Sequence, residues 1–418
     1  MSEEPFIVTA TPSAVKHRGW TVAFAGLGIN LALGVLYTWS VVSKGIPDAW
    51  GWSEAARSLP YSVACLVFSL IMVPAGRMQD RIGPRTVASI GGLLVSIGLL
   101  TASQTTTTLG FILGFGLLAG AGIGFGYASA TPPAVKWFPA ARTGLIAGIV
   151  VSGFGLASVY VAPLVKTLIR VYGLSTTMMI LGTGFLVIVV GLAQFLRPPP
   201  RDYMPAGTVP PPPGTADLKA DYNPVEMFRT WQFYALWFMY ACGAGAGLMI
   251  ISKLAKMAEV QAGVSLGFVL VAVLAVGNGA GRIIAGTMSD KIGRKATLFI
   301  CFVLQAVSII LLSRAETGNV LGSSLVLGAL SALIGANYGA NLALFPSITK
   351  DYYGIRNFGV NYGLVFTAWG LGGFTLSLLA GEVYDQTQTF TFAYYCSAML
   401  LVLAALTALF LRPVRQTA

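Results

Sequence analysis

Gly76-Arg-Met-Gln-Asp-Arg-Ile-Gly-Pro-Arg85 and Gly286-Thr-Met-Ser-Asp-Lys-Ile-Gly-Arg-Lys295 are one loop written twice, 210 residues apart. Gly, Met, Asp, Ile and the second Gly are identical, and two further positions are basic in both copies. A weaker echo repeats at almost the same offset, 211, with Gly126-Tyr127-Ala128 against Asn337-Tyr338-Gly339. Two echoes at nearly one offset indicate a duplicated chain whose halves are built alike.

Outward from these loops the sequence turns apolar. Of 418 residues, 56% are hydrophobic and 10% are charged, against about 25% charged in a soluble domain. A helical span needs about 20 apolar residues. Twelve such runs lie at 19–42, 58–76, 86–104, 108–134, 143–165, 174–196, 230–252, 264–286, 296–313, 320–345, 357–380 and 388–411. The loop follows the second span in one half and the eighth in the other. The expected fold class is an all-α membrane protein of twelve transmembrane helices in two pseudo-symmetric six-helix bundles. The expected domains are a tail (1–18), a bundle (19–196), a Pro-rich linker (197–229), a second bundle (230–411) and a tail (412–418). In the linker, the proline runs at 198–200 and 210–213 favour an extended spacer. Asn223-Pro224-Val-Glu226 then restarts a helix with a capping-box pattern.

Charge sets the expected orientation. Eighteen Lys and Arg fall on the side of the termini and linker, and seven on the other. Positive residues favour the cytoplasm, so both termini are expected there, in a multi-pass protein of the cell's inner membrane. The 26 basic residues against 15 acidic ones are dispersed among loops, so no nucleic-acid partner is expected. The polar first eighteen residues do not read as a signal peptide. Cys65, Cys242, Cys301 and Cys396 are widely spaced within apolar runs, a packing pattern rather than a metal or disulfide one. His17, the only histidine, lies in the tail. With no Ser/His/Asp set, metal cluster or cofactor loop, neither an enzyme nor a bound cofactor is expected.

One permanent cation is set inside an apolar run: Val271-Ala-Val-Leu-Ala-Val-Gly-Asn-Gly-Ala-Gly-Arg282-Ile-Ile-Ala-Gly286. An arginine at membrane depth costs about 2.5–3.5 kcal/mol on insertion scales and marks a substrate path by default. Snorkelling to the nearby interface is the other reading. All fifteen acids fall in loops, tails or at span edges. A buried cation with no protein carboxylate suggests that its counter-ion is the ligand. Asn278, four residues earlier, shares its helix face.

The paired loops resemble the signature loop of the major facilitator superfamily, over the whole chain. There the loop is a gate, which implies gating roles for Asp80, Arg81, Asp290 and Lys291, with Arg142 on a neighbouring loop. Further stretches resemble the oxalate/formate antiporters and the monocarboxylate transporters: Gly34-Val-Leu-Tyr-Thr-Trp39, Trp137-Phe-Pro-Ala-Ala-Arg-Thr-Gly-Leu-Ile-Ala-Gly148, Met227-Phe-Arg-Thr-Trp-Gln-Phe-Tyr-Ala-Leu-Trp237, Asn278-x-x-x-Arg282, Leu344-Phe-Pro346 and Arg356-Asn-Phe-Gly359. By that resemblance Arg282 is a substrate-binding arginine, and Tyr37, Tyr127 and Tyr338 line a cavity. Asn341 and Tyr362 join the expected site, with Asn337, Asn361 and Phe345 as weaker members.

Two positions depart from the resemblance. Val365 stands where the exchangers carry a second cation, which argues against a dianion. Asn278 stands where the animal monocarboxylate transporters carry an aspartate, which leaves the proton's carrier open. It is either the substrate's own cluster or a span-edge acid such as Glu259 or Glu382. The expected function is a monomeric, proton-coupled carrier of small monocarboxylates such as lactate or pyruvate, and the alternative is an anion exchanger of the oxalate/formate type.

Overall fold

The computed structural model describes residues 18–138, 143–200, 203, 221–263, 267–354, 357–412 and 414, without the side chains of Asp80 and 143–145. Eleven helices among these are long and apolar enough to cross a membrane. We label the crossings α1 (Gly19–Lys44), α2 (Glu54–Ile82), α3 (Pro84–Ser103), α4 (Thr108–Val135), α5 (143–172), α6 (174–193), α7 (Trp231–Ala262), α8 (Gly267–Ile292), α9 (Arg294–Ser313), α10 (Ser324–Tyr353), α11 (Phe358–Thr387) and α12 (Thr391–Phe410).

Eleven helices give twelve crossings because α5 and α6 run together as one stretch, Thr143–Ala193, of 51 residues. At 1.5 Å per residue a straight helix of that length would span roughly 75 Å, more than twice a hydrocarbon core. Gly173 breaks it, with φ 77° and ψ 171°, a conformation that side-chain-bearing residues rarely adopt.

The repeated loops fold alike. Gly83 has φ 89° and ψ 154°, and Gly293 has φ 88° and ψ 154°. Both turn the chain between adjacent crossings, and the left-handed φ explains why glycine stands in both copies. At the linker's end the capping box forms as expected. Glu226 N–H donates to Asn223 Oδ1 at 3.0 Å, and Asn223 N–H donates to Glu226 Oε2 at 2.7 Å.

The two halves meet along α2 with α11 and α5 with α8. Small residues make the second meeting close. A Cβ on Gly155 of α5 would sit 3.2 Å from both Arg282 Nη2 and Asn278 Cγ. Within the second half, Gly277 and Gly281 of α8 lie against the backbone of Ala332 and Ala336. Gly335 and Gly339 of α10 lie reciprocally against Leu274 and Asn278. This small-xxx-small seam lets the backbones touch, and it leaves the Asn278–Arg282 face free to turn toward α5.

Candidate functional site

Arg282 is 3% exposed and Asn278 is fully buried. The guanidinium Nε donates to Asn278 Oδ1 at 3.1 Å, and Nη1 donates across the halves to the Val151 carbonyl at 2.5 Å. Nη2 has no hydrogen-bond partner, and neither does Asn278 Nδ2. Among the described residues no carboxylate lies within ion-pair distance of Arg282. Two buried N–H groups one turn apart therefore lack an acceptor, on a cation whose partners are all neutral oxygens. Leaving such donors unmet costs about 1–3 kcal/mol each, more on a charged group.

Tyrosine hydroxyls surround this face. Tyr127 lies beside the guanidinium, and Tyr37 is in the same neighbourhood. Tyr37 sits on a single 3-10 turn, Gly34–Thr38, inside α1. Its hydroxyl meets that of Tyr338 at 2.5 Å, and Trp369 Nε1 donates to Tyr338 Oη at 2.8 Å. Tyr362 is half-buried, with its hydroxyl 3.4 Å from that of Tyr240.

An aromatic cluster drawn from both halves packs around these tyrosines. Phe68 packs against Tyr127, Phe154, Phe366 and Trp369 with ring centroids 5.0–5.8 Å apart. Phe366 in turn stacks on Trp369 at 5.1 Å and touches Tyr362 at 5.7 Å. The sequence reading missed Phe68, Phe154, Tyr240, Phe366 and Trp369. Tyr362, Phe366 and Trp369 follow i, i+4, i+7 spacing, a one-face pattern that a helical reading of α11 detects.

Other expected members lie elsewhere. The Asn341 side chain meets Gly243 of α7 and donates to the Asn337 carbonyl at 3.2 Å, inside the second half. Asn337 donates to the Leu333 carbonyl of its own helix at 2.9 Å. Phe345 stacks on Tyr240 at 4.1 Å. Asn361 donates to the Tyr222 carbonyl at 2.9 Å and so secures the linker's end.

Of the expected gate, Arg142 and the Asp80 side chain lie outside the described residues. Arg81 and Lys291 are exposed. Asp290 accepts from Arg294 at 2.7 Å, and Arg294 also reaches Asp351 at 3.2 Å. That network joins the ends of α8, α9 and α10 within one half.

A denser network ties the halves at the end away from the linker. Glu54, at the start of α2, meets Lys253 at 3.3 Å and Lys256 at 2.7 Å, both on α7. Asp385 of α11 accepts from the first backbone N–H groups of α2, Glu54 at 2.9 Å and Ala55 at 2.8 Å. Lys44 of α1 pairs with Glu259 of α7 at 2.7 Å. Lys253 is 3% exposed, and Glu54 is the carboxylate it touches.

Twelve crossings in two like halves, with a buried arginine where the halves meet, define a polytopic helical transporter. The chain belongs to the Major Facilitator Superfamily, whose model matches residues 19–275 and 236–418. It is 29% identical to the oxalate:formate antiporter of Oxalobacter formigenes, over 84% of this chain and 81% of that one. It is 26% identical to the MFS-type transporter YhjX of Escherichia coli, over 87% of each. To mouse monocarboxylate transporter 11 it is also 26% identical, over 92% of this chain and 85% of that one. A bacterial homolog of the human lysosomal transporter Spinster, inward-facing and unoccupied, shares the fold with a TM-score of 0.68. That likeness covers 95% of this chain and 97% of that one at 17% identity.

Proposed function

We propose that the chain carries small monocarboxylates, lactate-like or pyruvate-like, by alternating access, with Arg282 as the counter-ion of the carboxylate. The observation behind this is the pair of unmet donors, Arg282 Nη2 and Asn278 Nδ2. Both are N–H groups, so their missing partner is an acceptor, and the uncompensated charge calls for an anion. A carboxylate offers two oxygens to such a pair. One guanidinium neutralises one carboxylate, and a dianion would leave a charge desolvated at a cost of several kcal/mol. Val365, where the resemblance expects a second cation, is fully buried. The relative named as an oxalate:formate antiporter favours the second reading, anion exchange.

The Lys/Arg bias supports a cytoplasmic linker and termini, in a monomer of the inner membrane divided at 197–229. On this reading the Glu54 network is the closed outer gate, and the gating roles of the two signature loops belong to the linker side. The proton is proposed to travel with the substrate. Glu259 is engaged by Lys44 at the far end and Glu382 is exposed, which supports a proton shared within the Arg282–carboxylate cluster.

The test is initial uptake of labelled lactate into proteoliposomes from about pH 5 to 8, with unlabelled competitors. Uptake is expected to rise as pH falls, and oxalate to compete poorly. Val365→Lys is expected to move preference toward dicarboxylates. Oxalate outcompeting lactate at pH 7 overturns the monocarboxylate reading, and a flat pH profile replaces symport with exchange.

A further inference from the structure

The hydroxyl chain at the site has one hydrogen too many. Trp369 Nε1–H, Tyr338 O–H and Tyr37 O–H bring three hydrogens to two contacts, at 2.8 Å and 2.5 Å. An indole N–H only donates, so Tyr338 Oη must accept from Trp369. Tyr338 is fully buried, Tyr37 is 2% exposed, and the described residues give neither hydroxyl another partner. Two arrangements remain. Tyr338 donates to Tyr37 and leaves the Tyr37 hydrogen over, or Tyr37 donates to Tyr338 and leaves the Tyr338 hydrogen over.

Polarisation separates them. A hydroxyl that accepts becomes a better donor, and head-to-tail chains strengthen one another. The run Trp369 to Tyr338 to Tyr37 is head-to-tail, and the alternative points two donors at one oxygen. The surplus hydrogen therefore falls on Tyr37, whose ring packs 4.8 Å from that of Phe154, next in the chain to Gly155, which lies against Arg282.

We propose that Trp369 is a positioning residue for substrate binding: its indole N–H sets the direction of the Tyr338–Tyr37 chain and so keeps the Tyr37 hydroxyl hydrogen free for the bound carboxylate. The inference rests on the carboxylate reading of Arg282. It adds a polarity device that crosses the halves, since Tyr37 is on α1, Tyr338 on α10 and Trp369 on α11. Trp369 touches no substrate on this account. Its contribution vanishes wherever Tyr37 has no hydroxyl to orient.

A double-mutant cycle tests this, with KM and maximal rate of lactate uptake measured for wild type, Trp369→Phe, Tyr37→Phe and the double variant. Losing the indole donor makes the two chain directions nearly equivalent and leaves about half the molecules with the competent one, so Trp369→Phe is expected to raise KM about twofold. Tyr37→Phe removes a hydrogen bond to a charged group and is expected to raise KM about tenfold. In the Tyr37→Phe background, Trp369→Phe is expected to change KM no further. Independent factors that multiply in the double variant, or an unchanged KM in Trp369→Phe, overturn the proposal. Should Trp369→Phe lower the yield of folded protein, benzothienylalanine at position 369 keeps the ring volume and deletes only the N–H. The same KM criteria then decide. Wild-type protein that neither binds nor transports lactate or pyruvate defeats the carboxylate reading instead, which the cycle registers separately.

Discussion

On the proposed reading, Arg282→Lys is expected to lose more than about a hundredfold of lactate uptake although the charge is kept. The guanidinium holds Asn278 with one nitrogen and the Val151 carbonyl with another, and a third points at no protein acceptor. An ammonium is a point charge on a flexible stem and cannot reproduce that planar fork. Two charge-assisted hydrogen bonds lost at about 1.5 kcal/mol each make about 3 kcal/mol, or somewhat over two powers of ten. Initial rates in proteoliposomes measure the loss, with the thermal midpoint as a control for folding. Wild-type rates with unchanged KM in Arg282→Lys would mean that the arginine serves packing alone.

The second large effect is at the end of the molecule away from the linker. On the proposed reading, Glu54→Gln is expected to loosen the closure there. Its carboxylate meets two ammonium groups of α7, and Lys253 there is 3% exposed. Removing one partner of a buried pair leaves an uncompensated charge and costs about 3–5 kcal/mol. That cost falls on the arrangement in which the halves touch at this end, so the population shifts toward the open one. The readout is labelling of Ser252→Cys by an impermeant maleimide, with Cys396, the partly exposed native cysteine, replaced by Ser. More than about a tenfold rise in labelling rate is expected in Glu54→Gln. An unchanged rate in folded protein would remove the network from any gating role.

How much was readable beforehand follows from where the partners sit along the chain. The duplicated loop announced two like halves, while the left-handed φ of its second glycine, at Gly83 and Gly293, emerged only in the structure. The capping box at Asn223 was local, four residues long, and formed as written. The Asn278–Arg282 pair was also local, because i and i+4 share a helix face. The unmet donors could be suspected from the lack of mid-span acids.

What stayed hidden depends on pairings between distant segments. Phe68 and Trp369 are some 300 residues apart, and only the meeting of α2 with α11 makes them neighbours. Glu54 looked like an edge acid, because the lysines that engage it are on α7. Asn361 has the composition of a site residue, yet its amide serves the backbone of Tyr222. Hydrophobic periodicity gives the buried face of a helix, but not which other helix covers it.

The most direct test sets lactate against lactamide on the purified protein, by calorimetric titration or by ligand-induced rise in thermal midpoint. The two are nearly isosteric and differ in the carboxylate charge. Lactate is predicted to bind wild type, lactamide to bind at least about a hundredfold more weakly, and Arg282→Met to bind neither. Lactamide binding as tightly as lactate, or lactate binding undiminished in Arg282→Met, would contradict the assignment of Arg282 as the carboxylate's counter-ion.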